Sequence, residues 1–313
     1  MKSTVVLAAA ILLVGPSLAR AQSPADKPPA PEAPSAIKAP AAASPAISPF
    51  GLRGIGVGTG VRLDQTFAPY SVADKNYFES VHLLSASYKV SDSVAISART
   101  GVDRYGESGG STTTGFLNTV IGAQYATKLG RYFRAAGLLA VALPTANGGG
   151  NAPNPDVAAA HRAGSLARAM MVGVLFTPNE VYLPFGADLA FVAGGFTAQI
   201  EVTVAPGMRV RGETATVDSS KVNSVNGALV GYFLTPELSI GAELWYQRYL
   251  STPAAVEKDS SLRDNLSFAG GARVHLKLAG ATFRPGVSYG AGLRGQVADK
   301  HVQMLQIDVP VSF

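Results

Sequence analysis

From residue 50 onward, apolar side chains recur at every second position. They do so in segments near the length, about 9 to 11 residues, that a tilted strand needs to cross a bilayer. Period two gives each strand one apolar face, and the i, i+3, i+4 spacing of helices is nearly absent. The alternation predicts strands near 52–66, 78–90, 94–104, 113–127, 132–143, 165–176, 181–193, 222–234, 238–250, 264–278, 282–296 and 301–313. The joins are of two kinds. "SDS" 91–93, "KLGR" 128–131, "TPNE" 177–180, "TPEL" 235–238 and "AGA" 279–281 are short, whereas 67–77, 105–112, 144–164, 194–221 and 251–263 are long and polar.

Alternation suits a soluble sandwich, with the apolar face inward, as well as a barrel with that face outward. The aromatics separate the two. Tyr70, Tyr77, Phe78, Tyr246 and Tyr249 fall beside long joins, and Tyr88, Tyr125, Tyr132, Phe133, Phe176, Tyr182, Phe233 and Phe283 fall beside short ones. Two rings of aromatics at the strand ends are what two membrane interfaces select. The prediction is an all-β chain, a transmembrane antiparallel up-and-down β-barrel of twelve strands, its short turns periplasmic. The stretch "FTAQIEVTVAPGMRV", 196–210, also alternates. An even strand count places it in the fourth long loop; as a further hairpin it would make fourteen strands.

Lys2 precedes an apolar run over 5–14, a Gly15-Pro16 break and Ala19-Arg20-Ala21, which reads as a signal peptide over 1–21. That run is too short to span a bilayer as a helix. Residues 22–49 are almost all Pro, Ala and Ser, a composition that predicts a disordered periplasmic linker, with the barrel over 50–313. The absence of cysteine excludes a lipid-anchored lipoprotein, disulfides, thiolate metal sites and cysteine nucleophiles. Net charge is +5, but the charges are spread singly, without the clustered patch that nucleic acid requires. No metal or cofactor is expected.

The stretch "VQMLQIDVPVSF", 302–313, puts Leu305, Ile307, Val309, Val311 and Phe313 on one face and Gln306, Asp308, Pro310 and Ser312 on the other. This resembles the C-terminal signature of the bacterial outer-membrane β-barrel protein superfamily, a terminal aromatic preceded by alternating apolar residues. The resemblance implies recognition by the barrel-assembly machinery and residence among outer-membrane lipid. Pro310 departs from the pattern by giving up a ladder hydrogen bond, and is expected where that donor matters least.

On this register the inward charges are Arg62, Lys89, Arg99, Arg134, Arg273, Lys277, Arg284 and Arg294 against Asp64, Glu79, Asp103, Asp188, Glu243 and Asp308. Candidates for a lumen constriction are Arg99, Arg134, Asp188, Glu243, Arg273, His275, Lys277, Arg284 and Asp308. Of these, Glu243, Arg273, His275, Lys277, Arg284 and Asp308 are expected to form a charged belt near the short turns. Barrels of about eight strands are filled by their own side chains and those of sixteen to eighteen hold open channels, so twelve falls between. The reading is a narrow diffusion channel or facilitator for small solutes. The alternatives are a closed structural or adhesion barrel whose long loops carry the function, and an outer-membrane lipid-modifying enzyme. None of His82, His161, His275 and His301 opens the His-x-Ser-Asn signature of outer-membrane phospholipases. Ser80 and His82 share a strand face without an orienting acid or amide, so no catalytic residue is assigned. His161 is expected in a solvated loop. In "GIGVGTG", 54–60, the glycines fall at every second position and not in the spacing of a dinucleotide-binding turn, so the run reads as a strand with a bare inner face.

Overall fold

The computed structural model describes residues 46–72, 75–107, 110–212 and 219–313. The predicted signal peptide and linker residues 22–45 lie outside these. The described residues form a closed antiparallel barrel of twelve strands in up-and-down order. These are β1 Gly60–Val72, β2 Lys75–Lys89, β3 Val94–Glu107, β4 in two pieces (Thr112–Phe116 and Thr119–Leu129), β5 Phe133–Leu143 and β6 in two pieces (Glu180–Tyr182 and Phe185–Ala193). They continue as β7 Phe196–Arg209, β8 Ser220–Thr235, β9 Leu238–Tyr249, β10 Asp264–Val274 extended by Leu276–Leu278, β11 as Ala281–Phe283 and Gly286–Arg294, and β12 Gln303–Ser312. Closure comes from β12 pairing with β1 over Gly60↔Ser312 to Phe67↔Leu305.

Three expectations change, and two of them cancel in the strand count. Residues 165–176 are not a strand: helix α1, Pro155–Ala167, and a 3-10 turn, Gly173–Phe176, occupy most of that stretch. The helix has its own start signal, because Asn154 caps it through Oδ1 to the N–H of Asp156 and Val157 and Pro155 stands in its first turn. Conversely, 196–210 is a strand, β7, paired with β8 over thirteen residue pairs and with β6 on its other side. It follows a two-residue turn, Gly194 and Gly195, both at positive φ (57° and 84°), the geometry that joins tight hairpins. The third change is at the front, where β1 starts at Gly60 rather than near 52.

The short-turn end therefore carries the joins 90–93, 130–132, 194–195, 236–237 and 279–280, and the long-loop end carries the rest. "TPNE" belongs to the long-loop end, where the chain re-enters the wall after its longest excursion, 144–179. Outward side chains such as Leu84, Ile96, Ile121, Leu139, Ile200, Val230 and Leu244 are exposed, while their sequence neighbours Leu83, Ala95, Ala140 and Glu243 are buried inside. An apolar exterior around a partly polar interior inverts a soluble fold and suits hydrocarbon surroundings. Tyr88, Tyr125, Tyr132 and Phe133 form an exposed aromatic ring at the short-turn end. Phe176 and Tyr182 do not join it; both are buried at the long-loop end, Phe176 on the segment that folds inward and Tyr182 on the inner face of β6 against Ala142 and Ala205.

Candidate functional site

Two inserts meet inside the lumen. From the long-loop end comes 144–179, with α1 against β2, β3 and β4. Four of its buried residues are small (Ala160, Ala163, Gly164, Ala167), which lets the helix fit within a barrel wall, with Val157, His161 and Leu166 buried beside them. From the short-turn end comes 46–59, which rises to mid-lumen and descends again to start β1. Here "GIGVGTG" is not part of the wall until Gly60, where β1 begins, whereas the strand reading had all of it there. Its alternating Ile55 and Val57 pack against Ala126, Ala136, Ala190 and Val192 of the inner wall, and Gln124 Nε2 donates to the Gly54 carbonyl (2.7 Å) and Ser87 to that of Gly58 (2.8 Å). Residues 46–49, read as the end of the linker, lie inside the barrel too: the Ile47 N–H donates to Thr197 Oγ1 at 3.1 Å.

The two inserts bury an apolar cluster within the barrel. Leu52 of the lower insert and Leu166, Met171, Leu175 and Phe176 of the upper one join Val81, Leu83, Leu229 and Trp245 from the wall. Each fully buried side chain of this size contributes about 1.5–3 kcal/mol relative to its exposed state. Much of the long-loop half of the lumen is thus packed.

Below it the charges follow the strand register. Arg99, Ser85, Arg62 and Pro310 are successive partners across β3, β2, β1 and β12, and the Arg284 N–H donates to the Pro310 carbonyl, which adds β11 to the row. The missing donor of Pro310 thus falls where β11 is itself interrupted, between Phe283 and Gly286. One inward step up, Asp64 and Asp308 stand directly opposite each other on β1 and β12. Like charges so placed repel unless cations intervene. Arg62 reaches both (2.9 Å to Asp308, 3.6 Å to Asp64), Arg273 pairs with Asp308 at 2.9 Å, and Arg168 of the upper insert makes two contacts to Asp64 at 2.9 and 3.0 Å. The seam that closes the barrel thus gathers a network of buried charge, Asp64 and Asp308 with Arg168 and Arg273.

The lower insert is held by carboxylates of the wall. Glu243 accepts from the N–H of Phe50, Gly51 and Leu52 and from Trp245 Nε1 (2.7 Å), and Phe50 stacks beneath the Arg273 guanidinium at 4.7 Å. Arg53 is bound by Asp188 (3.1 Å) and Glu201 (3.5 Å). Arg62 and Gln306 both donate to the Phe50 carbonyl. Four N–H donors satisfy Glu243, which makes its burial tolerable.

Of the sequence candidates, Glu243, Arg273, Arg284 and Asp308 do converge, the Arg284 carbonyl accepting from Arg273. Asp188 belongs to the Arg53 cluster. His275 sits toward the turns, bonded to Ser239 (2.8 Å) and against Phe233, and Lys277 is exposed. The belt therefore excludes Lys277, since the wall beyond Val274 is too near the solvent to enclose it. Lys89 and Arg294 leave the lumen as well, pairing with Asp92 and Asp264 at opposite rims. Arg99 and Arg134 line a cavity of about 690 Å³ between the lower insert and the wall.

Sequence reading missed Arg53, Arg168 and Glu201, all in segments assigned to the wrong element; the Asn154-Pro155 cap and the Gly194-Gly195 turn were the signals that would have recovered two of them. It also placed His161 in solvent, whereas the ring is buried, Nδ1 lying 2.7 Å from Asp103, because α1 turns into the lumen. On the outer face, His82 Nε2 lies 3.3 Å from Ser80 Oγ, and among the described residues no acid or amide hydrogen-bonds the ring.

No protein-family model matches this sequence, and no curated protein matches it. Among solved structures, an outer-membrane channel from Pseudomonas putida F1 aligns over 85% of this chain and 100% of its own, at 11% identity and a TM-score of 0.53. The translocator domain of the autotransporter NalP from Neisseria meningitidis aligns over 82% and 88% (11% identity, TM-score 0.46), and LpxR from Salmonella typhimurium over 80% and 100% (10%, 0.39). A likeness at such identity concerns the fold.

Proposed function

We propose that this chain is an outer-membrane channel of low conductance for small solutes, with its short turns facing the periplasm and its lumen narrowed by two inserts. The observation that carries the reading is the cavity of about 690 Å³ inside the barrel, which runs from the short-turn strand ends at Ser87, Ser97 and Ser312 up to Leu175. Protein interiors are close-packed, and voids larger than a water are few. This one would hold roughly twenty waters at about 30 Å³ each. Its floor is the lower insert, held by reversible hydrogen bonds, so the passage widens when that insert yields. A closed structural barrel is the second reading, favoured by the apolar cluster that packs much of the long-loop half.

Planar-bilayer recording separates the two. The parent should give small, rarely open conductance steps. Glu243→Ala, which removes the acceptor for three successive N–H groups of the lower insert, should raise open probability several-fold. Absence of any conductance from folded parent and variant alike would end the channel reading.

A further inference from the structure

The cations around the cavity are unevenly matched. Its lining includes Arg53, Arg62, Arg99, Arg134 and Arg284 against a single acid, Glu201. Arg53 is neutralised by Asp188 and Glu201, and Arg62 by Asp308 and Asp64. Arg99 and Arg284 are not. Arg99 donates Nε to Ser85 Oγ (3.0 Å), Arg284 donates to Ser312 Oγ (3.1 Å), and neither forms an ion pair among the described residues. Both lie on the row that includes Arg62, so guanidinium groups recur at every second strand, about 10 Å apart at their backbones. Arg62 adds a buried Nε without a partner among the described residues. In the other direction the same row turns apolar: Arg99 is partnered by Val120 and Val120 by Ala142, with Leu138 and Ala140 beside them. Across the cavity, a Cβ added at Gly54, Gly56 or Gly58 would meet nothing within 4 Å, so this wall is open space rather than packing.

We infer that the cavity is a binding site for a small organic acid, its carboxylate held by Arg99 and its apolar body laid against Val120, Leu138 and Ala140. Guanidinium presents paired donors that match a carboxylate, and such charge-assisted bonds strengthen where water is partly excluded. An inorganic anion would satisfy the guanidinium and leave the apolar half wet. A cation would face uncompensated positive charge. Arg284, near the short-turn rim, serves as the outer station through which the anion passes. The inference rests on the channel reading for the route by which a solute reaches the cavity.

The test is calorimetric titration of the full chain in detergent with benzoate, alongside inorganic phosphate and the cation benzamidinium. Saturable benzoate binding is expected, at least tenfold tighter than phosphate, with none for benzamidinium. Arg99→Ala should weaken benzoate at least tenfold and Arg99→Lys should restore part of the loss, each variant first shown to be folded by its faster migration unboiled than boiled on a detergent gel. Equal benzoate binding by parent and Arg99→Ala, equal binding of benzamidinium, or no benzoate binding at all would overturn the site. Bilayer conductance reports separately on the channel. A conducting parent that ignores benzoate keeps the channel and loses the site, and a silent parent that binds benzoate through Arg99 does the reverse.

Discussion

Asp308 is the residue on which the interior depends most. It is fully buried, faces Asp64 across the seam, and is paired with Arg62 and Arg273. Burying a charge is costly unless it is paired and hydrogen-bonded, and breaking such a pair strands the partner. Arg273, also buried, has no other carboxylate in ion-pair range among the described residues. Asp308→Ala should therefore destabilise the barrel by about 3 to 5 kcal/mol, read as a lowered denaturant midpoint in detergent or lipid. The exposed pair Lys75 and Glu107 (3.1 Å) is the internal control, since such surface pairs are worth about 0 to 1 kcal/mol and Lys75→Ala should scarcely move the midpoint. Equal effects of the two substitutions would mean that the seam network is solvated and contributes little. The inward position of Asp308 followed from alternation. So did those of its partners Arg62 and Arg273; the cation opposite Asp64 did not, because Arg168 lies in a segment whose apolar spacing imitated a strand.

The lower insert is the element whose placement has the most functional weight. It has no regular hydrogen-bonding of its own and depends on side chains far along the chain, Phe50 and Glu243 being 193 positions apart. Gly51 shows how close the fit is: a Cβ there would lie 2.6 Å from the Trp245 ring, so any larger residue displaces the insert or the indole. A paired substitution tests whether movement of the insert opens the lumen. With Ile47→Cys and Thr197→Cys, a disulfide should form at the site of the present backbone contact, and the natural chain contains no cysteine to compete. Oxidation should suppress conductance and a reductant should restore it. Unchanged current in the crosslinked protein, with the crosslink verified by mass, would show that ions pass without displacement of 46–59.

The barrel as a whole places apolar surface outside and charge within, and this inversion has a measurable consequence. Ile307 is 40% exposed on the outer face while its neighbour Asp308 is buried within. In lipid vesicles Ile307→Arg should cost about 2 to 4 kcal/mol if the residue lies near the bilayer midplane, because lipid-facing charge there is penalised. A soluble protein with an equally exposed isoleucine would be nearly indifferent to the change, since surface substitutions usually fall within about 0.5 kcal/mol. Closure of β12 on β1 removes the last sheet edge, which hydrocarbon would not tolerate.

Alternation in the amino-acid sequence was enough to establish the class, the closed up-and-down order and the inward face of most wall strands. A period of two is a local property, and a wall strand turns one apolar face outward whatever its neighbours are. The inserts obey no such rule. A segment inside the lumen is surrounded by wall on every side, so it needs no polar face. That is why the apolar run over 165–176 read as membrane strand, and why β7, displaced by the parity this error imposed, read as loop. Twelve remained the count because one strand was gained and one lost. What fills the lumen, which arginines are matched by a carboxylate and where the cavity lies depend on contacts between residues more than a hundred positions apart, and those are set by barrel closure rather than by any local stretch of chain.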